Sequence, residues 1–369
     1  MKVGRNLQDL AAELERRAES KRDYKAPASK ITLEAEREGS APAVVMNLAG
    51  VDSFPIEPYA HGQLASYAGV PKKYYDRMLS DAPDLLAKNV NNWLGDMDSS
   101  KDTSARMVRT LDSSVRAVLS TKYRALENED LAETVLPVLL NLGEVTILSA
   151  DITATRFYIK AVDKSIERDI PTGRRLGEGH HFFDTVSPAI TISNSEIGAG
   201  TLSVETSIFT RMCTNLATMG ASIRKYHAGS RMELGDEVMA LLSDETRRVT
   251  DEALWRQIRD ITGAAFEEAR FEASITKLGD AAEDRIDTSK VEVIEVVERS
   301  AKKFSWTEEE SGSVLKHLVE GADLTRYGLH AAVTRTAEDL DSYDRASEFE
   351  KMGGRVIDLS PADWTKLAA

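Results

Sequence analysis

Ala189-Ile190-Thr191-Ile192-Ser193-Asn194-Ser195-Glu196-Ile197-Gly198-Ala199-Gly200-Thr201-Leu202-Ser203-Val204-Glu205-Thr206-Ser207-Ile208 is the stretch whose reading decides the fold. Residues 189–193 and 202–208 read as a pair of strands. They flank 194–200, where two glycines permit a tight reversal, so the stretch predicts an antiparallel hairpin. Upstream, 155–162 alternates too. Phe157, Ile159 and Ala161 fall on one face, and Arg156, Tyr158 and Lys160 on the other. Val145 to Leu148 adds a further strand. Val115, Ala117 and Leu119 alternate with Ser114, Arg116 and Ser120, the pattern of a half-buried strand.

Helices are expected around this sheet. One starts at Asn128, places Leu131, Val135, Leu139 and Leu142 on one face, bends at Pro137 and stops at Gly143. Another, starting near Thr210, completes the body. At the N-terminus, Asn6 caps a helix with a Leu7, Leu10, Ala11, Leu14, Ala18 stripe, ended by the polar segment 19–29. Residues 31–33 and 44–48 read as short strands, and 58–94 as a helical cluster. Beyond Met232 the pattern is helical. Thr307 with Glu310 forms a capping box, Gly321 stops that helix, and Ser360, Pro361 and Asp363 open a last one. The fold expected is α+β: a central antiparallel sheet packed with helices, preceded by a small helical cluster and followed by an acidic, mostly helical C-terminal region. Its expected divisions are 1–100, 101–232 and 233–369.

Charge follows these divisions. The chain of 369 residues carries −14, but 233–369 hold 31 acids and 18 bases, leaving 30 and 29 for 1–232. Within that near-neutral body, 101–126 carries Lys101, Arg106, Arg109, Arg116, Lys122 and Arg124 against Asp102 and Asp112. Residues 211–232 carry Arg211, Arg224, Lys225 and Arg231 with no acid. Such islands suit a polyanion partner, or an ordinary solvated face. No apolar run is long enough to span a bilayer, the N-terminus lacks an apolar signal core, and the single Cys213 excludes an intrachain disulfide framework. A cytoplasmic protein without a membrane partner is expected.

The catalytic inventory is thin. His180 and His181, near Glu178 and Asp184, are the densest set of metal-ligand types, yet adjacent histidines project apart on helix or strand. Nothing orients His227 toward Cys213, which reads as a buried thiol at a helix start. No phosphate-cradling glycine loop occurs, and Gly198-Ala199-Gly200 lacks the third glycine of a dinucleotide site. No catalytic residue, metal or cofactor is assigned. Binding features are richer. Arg156-Tyr158-Lys160, Lys122-Tyr123-Arg124 and Arg224-Lys225-Tyr226-His227 each mix cations with an aromatic ring, as surfaces holding single-stranded nucleic acid do. In that reading Arg116, Lys122, Arg124, Arg156, Lys160, Arg211, Arg224 and Lys225 contact phosphates, and Tyr123, Tyr158 and Tyr226 stack on bases. The bland alternative packs these tyrosines on the core. Gln63-Leu64-Ala65 through Gly69-Val70-Pro71, followed by Lys72, Lys73, Tyr74, Tyr75 and Arg77, also resembles a helix-turn-helix, the alternative of a duplex-DNA regulator.

Several segments together resemble a known family: 63–71, Arg116-Ala117-Val118-Leu119-Ser120-Thr121-Lys122-Tyr123-Arg124, Val186-Ser187-Pro188-Ala189-Ile190, Ile192-Ser193-Asn194-Ser195-Glu196-Ile197-Gly198 and Arg211-Met212-Cys213-Thr214-Asn215. Their order and spacing are similar to the phage- and plasmid-associated family called domain of unknown function 932, from about residue 5 onward. The resemblance implies residence on mobile elements and supplies no catalytic residue. In outline the body is also similar to phage single-strand annealing proteins of the Redβ and RecT type, a likeness of fold that does not fix function. The expectation is a non-enzymatic single-strand-binding or annealing protein, homo-oligomeric, whose acidic C-terminal region recruits a protein partner or restrains DNA binding. A structural or host-interaction role on a mobile element is a further alternative.

Overall fold

In the computed structural model, residues 2, 4–36, 43–96, 105–176, 180–211, 215–225 and 244–368 are described. Helix α1 (Leu7–Ser20) opens at Asn6, whose side chain accepts from the Asp9 amide at 2.8 Å, and it buries Leu10 and Leu14. The polar segment expected only to end it is instead a strand, β1 (Arg22–Pro27). Polar residues are tolerated there because β1 is an edge strand of a small sheet and mostly solvent-facing. β2 (Ile31–Glu36), β3 (Ala43–Leu48) and β4 (Ser53–Pro55) form a second antiparallel sheet. The helical cluster follows as α2 (Pro58–Tyr67), α3 (Lys72–Asp81) and α4 (Pro83–Gly95). Gly69 takes φ 68° between α2 and α3, a conformation that costs glycine nothing. These elements share an apolar core that includes Ile31, Met46, Leu64, Tyr75, Leu86 and Val90.

β5 (Ala105–Leu111) pairs with β1 and with β6 (Ser114–Ser120), completing the small sheet. β6 departs from expectation. Every residue from Val115 to Leu119 is buried, Arg116 included, because the polar face is met by a carboxylate rather than by water. α5 (Asn128–Asn141) follows. The central sheet then runs in the order β12-β11-β10-β8-β7, with β9 also on β10: β7 (Val145–Ile152), β8 (Phe157–Asp163), β9 (Arg168–Leu176), β10 (His180–Asn194), β11 (Leu202–Thr210) and β12 (Asn215–Lys225). The quoted hairpin is β10–β11, with Ser193 opposite Ser203 and Val186 opposite Thr210. The helix expected near Thr210 is corrected: 215–225 is a strand, held by its ladder with β11.

The two faces of this sheet differ. Phe157, Ile159, Ala161, Ile190, Ile192, Leu202 and Val204 join Leu131 and Val135 of α5 in one apolar core. The opposite face carries Ser149, Tyr158, Lys160, Thr191, Ser193, Ser203, Glu205 and Ser207, all buried. The C-terminal region supplies α6 (Asp244–Ala264), α7 (Glu268–Glu283), α8 (Val293–Phe304), α9 (Glu308–Gly321), α10 (Arg326–Thr336), α11 (Tyr343–Ile357) and α12 (Pro361–Ala368). α6 joins the apolar core beside α5 through Leu254 and Ile258, while α11 lies over the polar face. The Thr307–Glu310 capping box opens α9. The last turn of the chain follows the Ser360 hydroxyl, which accepts from the Asp363 amide at 3.1 Å. α8 to α12 have a core of their own around Val297, Leu318, Val333, Phe349 and Trp364. The described residues thus form an α+β fold of twelve helices and three antiparallel sheets, helical at its C-terminal end. No helix among them is long and apolar enough to cross a membrane.

Candidate nucleic-acid interface

α11 crosses the polar face of the sheet. Tyr343 Oη bonds Ser149 Oγ at 2.6 Å, and the Tyr343 ring lies 5.2 Å from that of Tyr158. One turn on, Lys160 Nζ donates to Ser347 Oγ at 3.1 Å and lies 2.6 Å from Glu350 Oε2, with both charged side chains out of solvent. Burial alone would lower the Lys160 pKa, but the carboxylate of Glu350 outweighs it and raises it, so the ammonium stays charged. Lys351 pairs with the buried Glu205 at 2.5 Å. Closer to the C-terminus, a Cβ on Gly354 would lie 1.8 Å from the Thr218 carbonyl oxygen, so only glycine lets the helix approach β12 this closely.

Beside this helix–sheet junction lies a cleft of about 370 Å³, lined by Arg156, Tyr158, Ser203, Lys351 and Arg355 among others. Arg156 Nη2 donates to the Ala199 carbonyl at 2.8 Å, which ties the cleft to the hairpin turn. Arg355 is exposed and makes no ion pair or hydrogen bond among the described residues. In the sheet, Tyr158, Ser193, Ser203 and Arg224 form one row across four strands, so the Arg224 backbone is in register with the cleft wall.

The hairpin turn is the centre of a second constellation. Glu196, 4% exposed, accepts from Arg116 Nη1 at 2.6 Å and from the Asn128 amide at 2.8 Å. Burial would raise its pKa, but Arg116, that amide and Lys21 together hold the carboxyl down at about 2. Arg109, 1% exposed, donates to the Glu196 carbonyl at 2.8 Å, to Asp23 at 2.8 Å and to Glu127 at 2.6 Å. Tyr123 donates to the Ser195 carbonyl at 3.1 Å, and Gln63 bridges the Ile197 carbonyl and the Val118 amide, each at 2.8 Å. Segments 63–71, 116–124 and 194–198, quoted for their family resemblance, therefore meet at one turn. Glu127, Glu129 and Glu196 are close enough to share a cation. That place is taken by Lys21 Nζ, which lies 2.9 Å from Glu127, pairs with Glu129, and is 3.9 Å from Glu196.

Against these sites the sequence expectations separate. Tyr158, Lys160 and Arg116 are buried, so the solvent-facing cation–aromatic stripe expected along 156–160 is corrected: α11 covers it with Glu350 on Lys160, and Arg116 neutralises Glu196. Tyr123 and Arg124 are half-buried, and burial raises the Tyr123 pKa. Lys122 is exposed at the β6 exit. Arg211 is exposed and pairs with Glu167 at 2.8 Å, away from the cleft wall. The side chains of Arg224, Lys225, His180 and His181, and residues Tyr226, His227, Glu178 and Cys213, lie outside the described residues. On α3, Lys72, Lys73, Tyr74 and Arg77 are exposed, while Tyr75 is buried with its hydroxyl 2.8 Å from His61 Nδ1. Sequence reading missed Lys351 and Arg355. Their i,i+4 spacing on one helix face was the available signal, submerged in the acidity of the region. Compared with protein-family models, curated proteins and solved structures, the chain finds no match.

Proposed function

We propose that the chain binds single-stranded nucleic acid without catalysis, as a homo-oligomeric annealing-type protein of a phage or plasmid, in line with the family resemblance. The observation that carries this is the cleft where Arg156 and the exposed Arg355 meet beside serine hydroxyls. Lys351 there is held by Glu205 and Glu348 also lines the wall, so Arg355 is the cation offered to a phosphate. With Tyr158 covered, phosphate binding dominates over base stacking, which makes the interaction sequence-tolerant and strongly salt-dependent. α11, whose three acids and three bases balance, covers Tyr158 and Lys160, and Glu350 neutralises Lys160. This fits a C-terminal region that restrains binding, and that region is also where a protein partner would dock. Filter binding of a single-stranded DNA oligonucleotide across a salt series tests the reading. Arg355→Ala should weaken retention and flatten the salt slope by about 0.7, the share of a single phosphate on a single strand. No retention by the wild-type protein even at low salt would sink it.

A second reading rests on the exposed Lys72, Lys73, Tyr74 and Arg77 of α3, which would suit a duplex-DNA regulator. It predicts sequence-dependent duplex binding that disappears in Lys73→Ala, whereas the first reading predicts indifference to sequence.

A further inference from the structure

A second cavity, of about 240 Å³, lies where β9 and β10 meet α9 and α10, apart from the cleft. Its lining includes Arg174, Asp184, His317, Glu320, Asp323 and Arg335. Asp184 is 5% exposed; its Oδ2 accepts from the Tyr327 hydroxyl at 2.6 Å, while its Oδ1 has no hydrogen-bond partner among the described residues. The Asp323 carboxylate is engaged by the Gly173 amide at 2.9 Å and the Thr325 hydroxyl at 2.6 Å. His317 Nε2 lies 2.7 Å from Asp339 Oδ2, and its Nδ1 lies 3.8 Å from Glu320 Oε2. That Nδ1 is likewise buried and without a hydrogen bond among the described residues.

The cavity therefore offers one shielded acceptor, Asp184 Oδ1, and a buried acceptor left unpaired costs about 1–3 kcal/mol unless something donates to it. It also offers two guanidinium groups. Arg174 lies over the Phe182 ring at 4.9 Å and Arg335 is exposed, and neither is hydrogen-bonded or ion-paired among the described residues. A metal ion does not answer this set, because among the described residues the group close enough to share one is Glu127, Glu129 and Glu196, elsewhere in the fold. A ligand with donors at one end and an acid at the other does. The volume equals that of about eight waters in the liquid, too small for a nucleotide and right for an amino acid.

We propose that this cavity binds a small zwitterion of amino-acid size, its ammonium donating to Asp184 Oδ1 and its acid group facing Arg174 and Arg335. The probes are the common L-amino acids and their N-acetyl derivatives, screened by thermal shift on the full chain and followed by titration calorimetry. At least one amino acid should bind one to one, and its N-acetyl derivative should not. Asp184→Asn keeps the acceptor for Tyr327 but turns an N–H into the cavity, and should weaken binding about tenfold or more. Arg335→Ala removes an exposed side chain with no described partner, so it leaves the fold intact and should also weaken binding about tenfold. The proposal is overturned if no amino acid binds, if the acetylated form binds as well, or if Arg335→Ala binds like the wild type.

Discussion

At the residue scale, the decisive feature is how many charges are inside. Lys160 and Glu350 sit 2.6 Å apart at 0% and 1% side-chain exposure, where desolvation and attraction nearly cancel while the pair is whole. Removing one partner strands the other. Lys160→Met should cost about 3–5 kcal/mol in urea unfolding, and adding Glu350→Leu should restore most of it. Histidines give a second test. His330, 3% exposed, donates from Nδ1 to the Gly353 carbonyl at 2.9 Å, and burial lowers its pKa from 6.5 to about 4. Since the folded value lies below the unfolded one, its contribution is complete above pH 6.5 and is lost as the pH falls toward 4. The loss amounts to roughly 3 kcal/mol. His61, lowered to about 4 by burial and the Lys72 ammonium, acts in the same direction. Thermal melts should fall between pH 6.5 and 4, and His330→Gln should flatten that limb. None of these pairings was legible in sequence. Lys21 and Glu127 are 106 positions apart, Arg116 and Glu196 80, and they meet only through the fold.

At the element scale, legibility followed periodicity. The hairpin of β10 and β11 and the alternation of β8 show because one face packs on an apolar core. β1 was missed because an edge strand needs few apolar residues, and β9 because Pro171 and Gly173 interrupt its alternation. β12 was read as helix because its composition permits one, and its strand state comes from pairing with β11. The docking of α11 was equally hidden, since it depends on adjacent glycines that look like helix weakeners. A Cβ at 353 would meet Thr334 Cγ2 at 2.3 Å, and one at 354 the Thr218 carbonyl at 1.8 Å. Gly354→Ala gains helix propensity of about 1 kcal/mol yet forces the helix off the sheet. The net outcome should be a destabilisation of about 1–3 kcal/mol, measurable by urea unfolding.

At the scale of the whole molecule, the charge asymmetry of the sequence becomes an internal arrangement. Much of the first basic island lies inside: Arg109 and Arg116 neutralise Asp23, Glu127 and Glu196, and Arg106 lies 3.5 Å over the Tyr67 ring. The acidic region, in turn, neutralises Lys160 and brings Lys351, paired with Glu205, together with Glu348 and the exposed Arg355 to the cleft. One cleft of about 370 Å³ can hold only a nucleotide or so of a strand, and engaging a single phosphate gives weak binding. Stable retention on this reading therefore requires several copies along one strand, where each further binding event is intramolecular and avidity rises without new chemistry. Mass photometry with and without a long single-stranded DNA should show an assembly that grows on the strand at low salt and shortens as salt rises. Arg355→Ala should leave the DNA-free species unchanged and abolish the growth. A mass that ignores DNA at low salt would remove the oligomeric reading, and growth that persists undiminished in Arg355→Ala would move the binding surface away from the cleft.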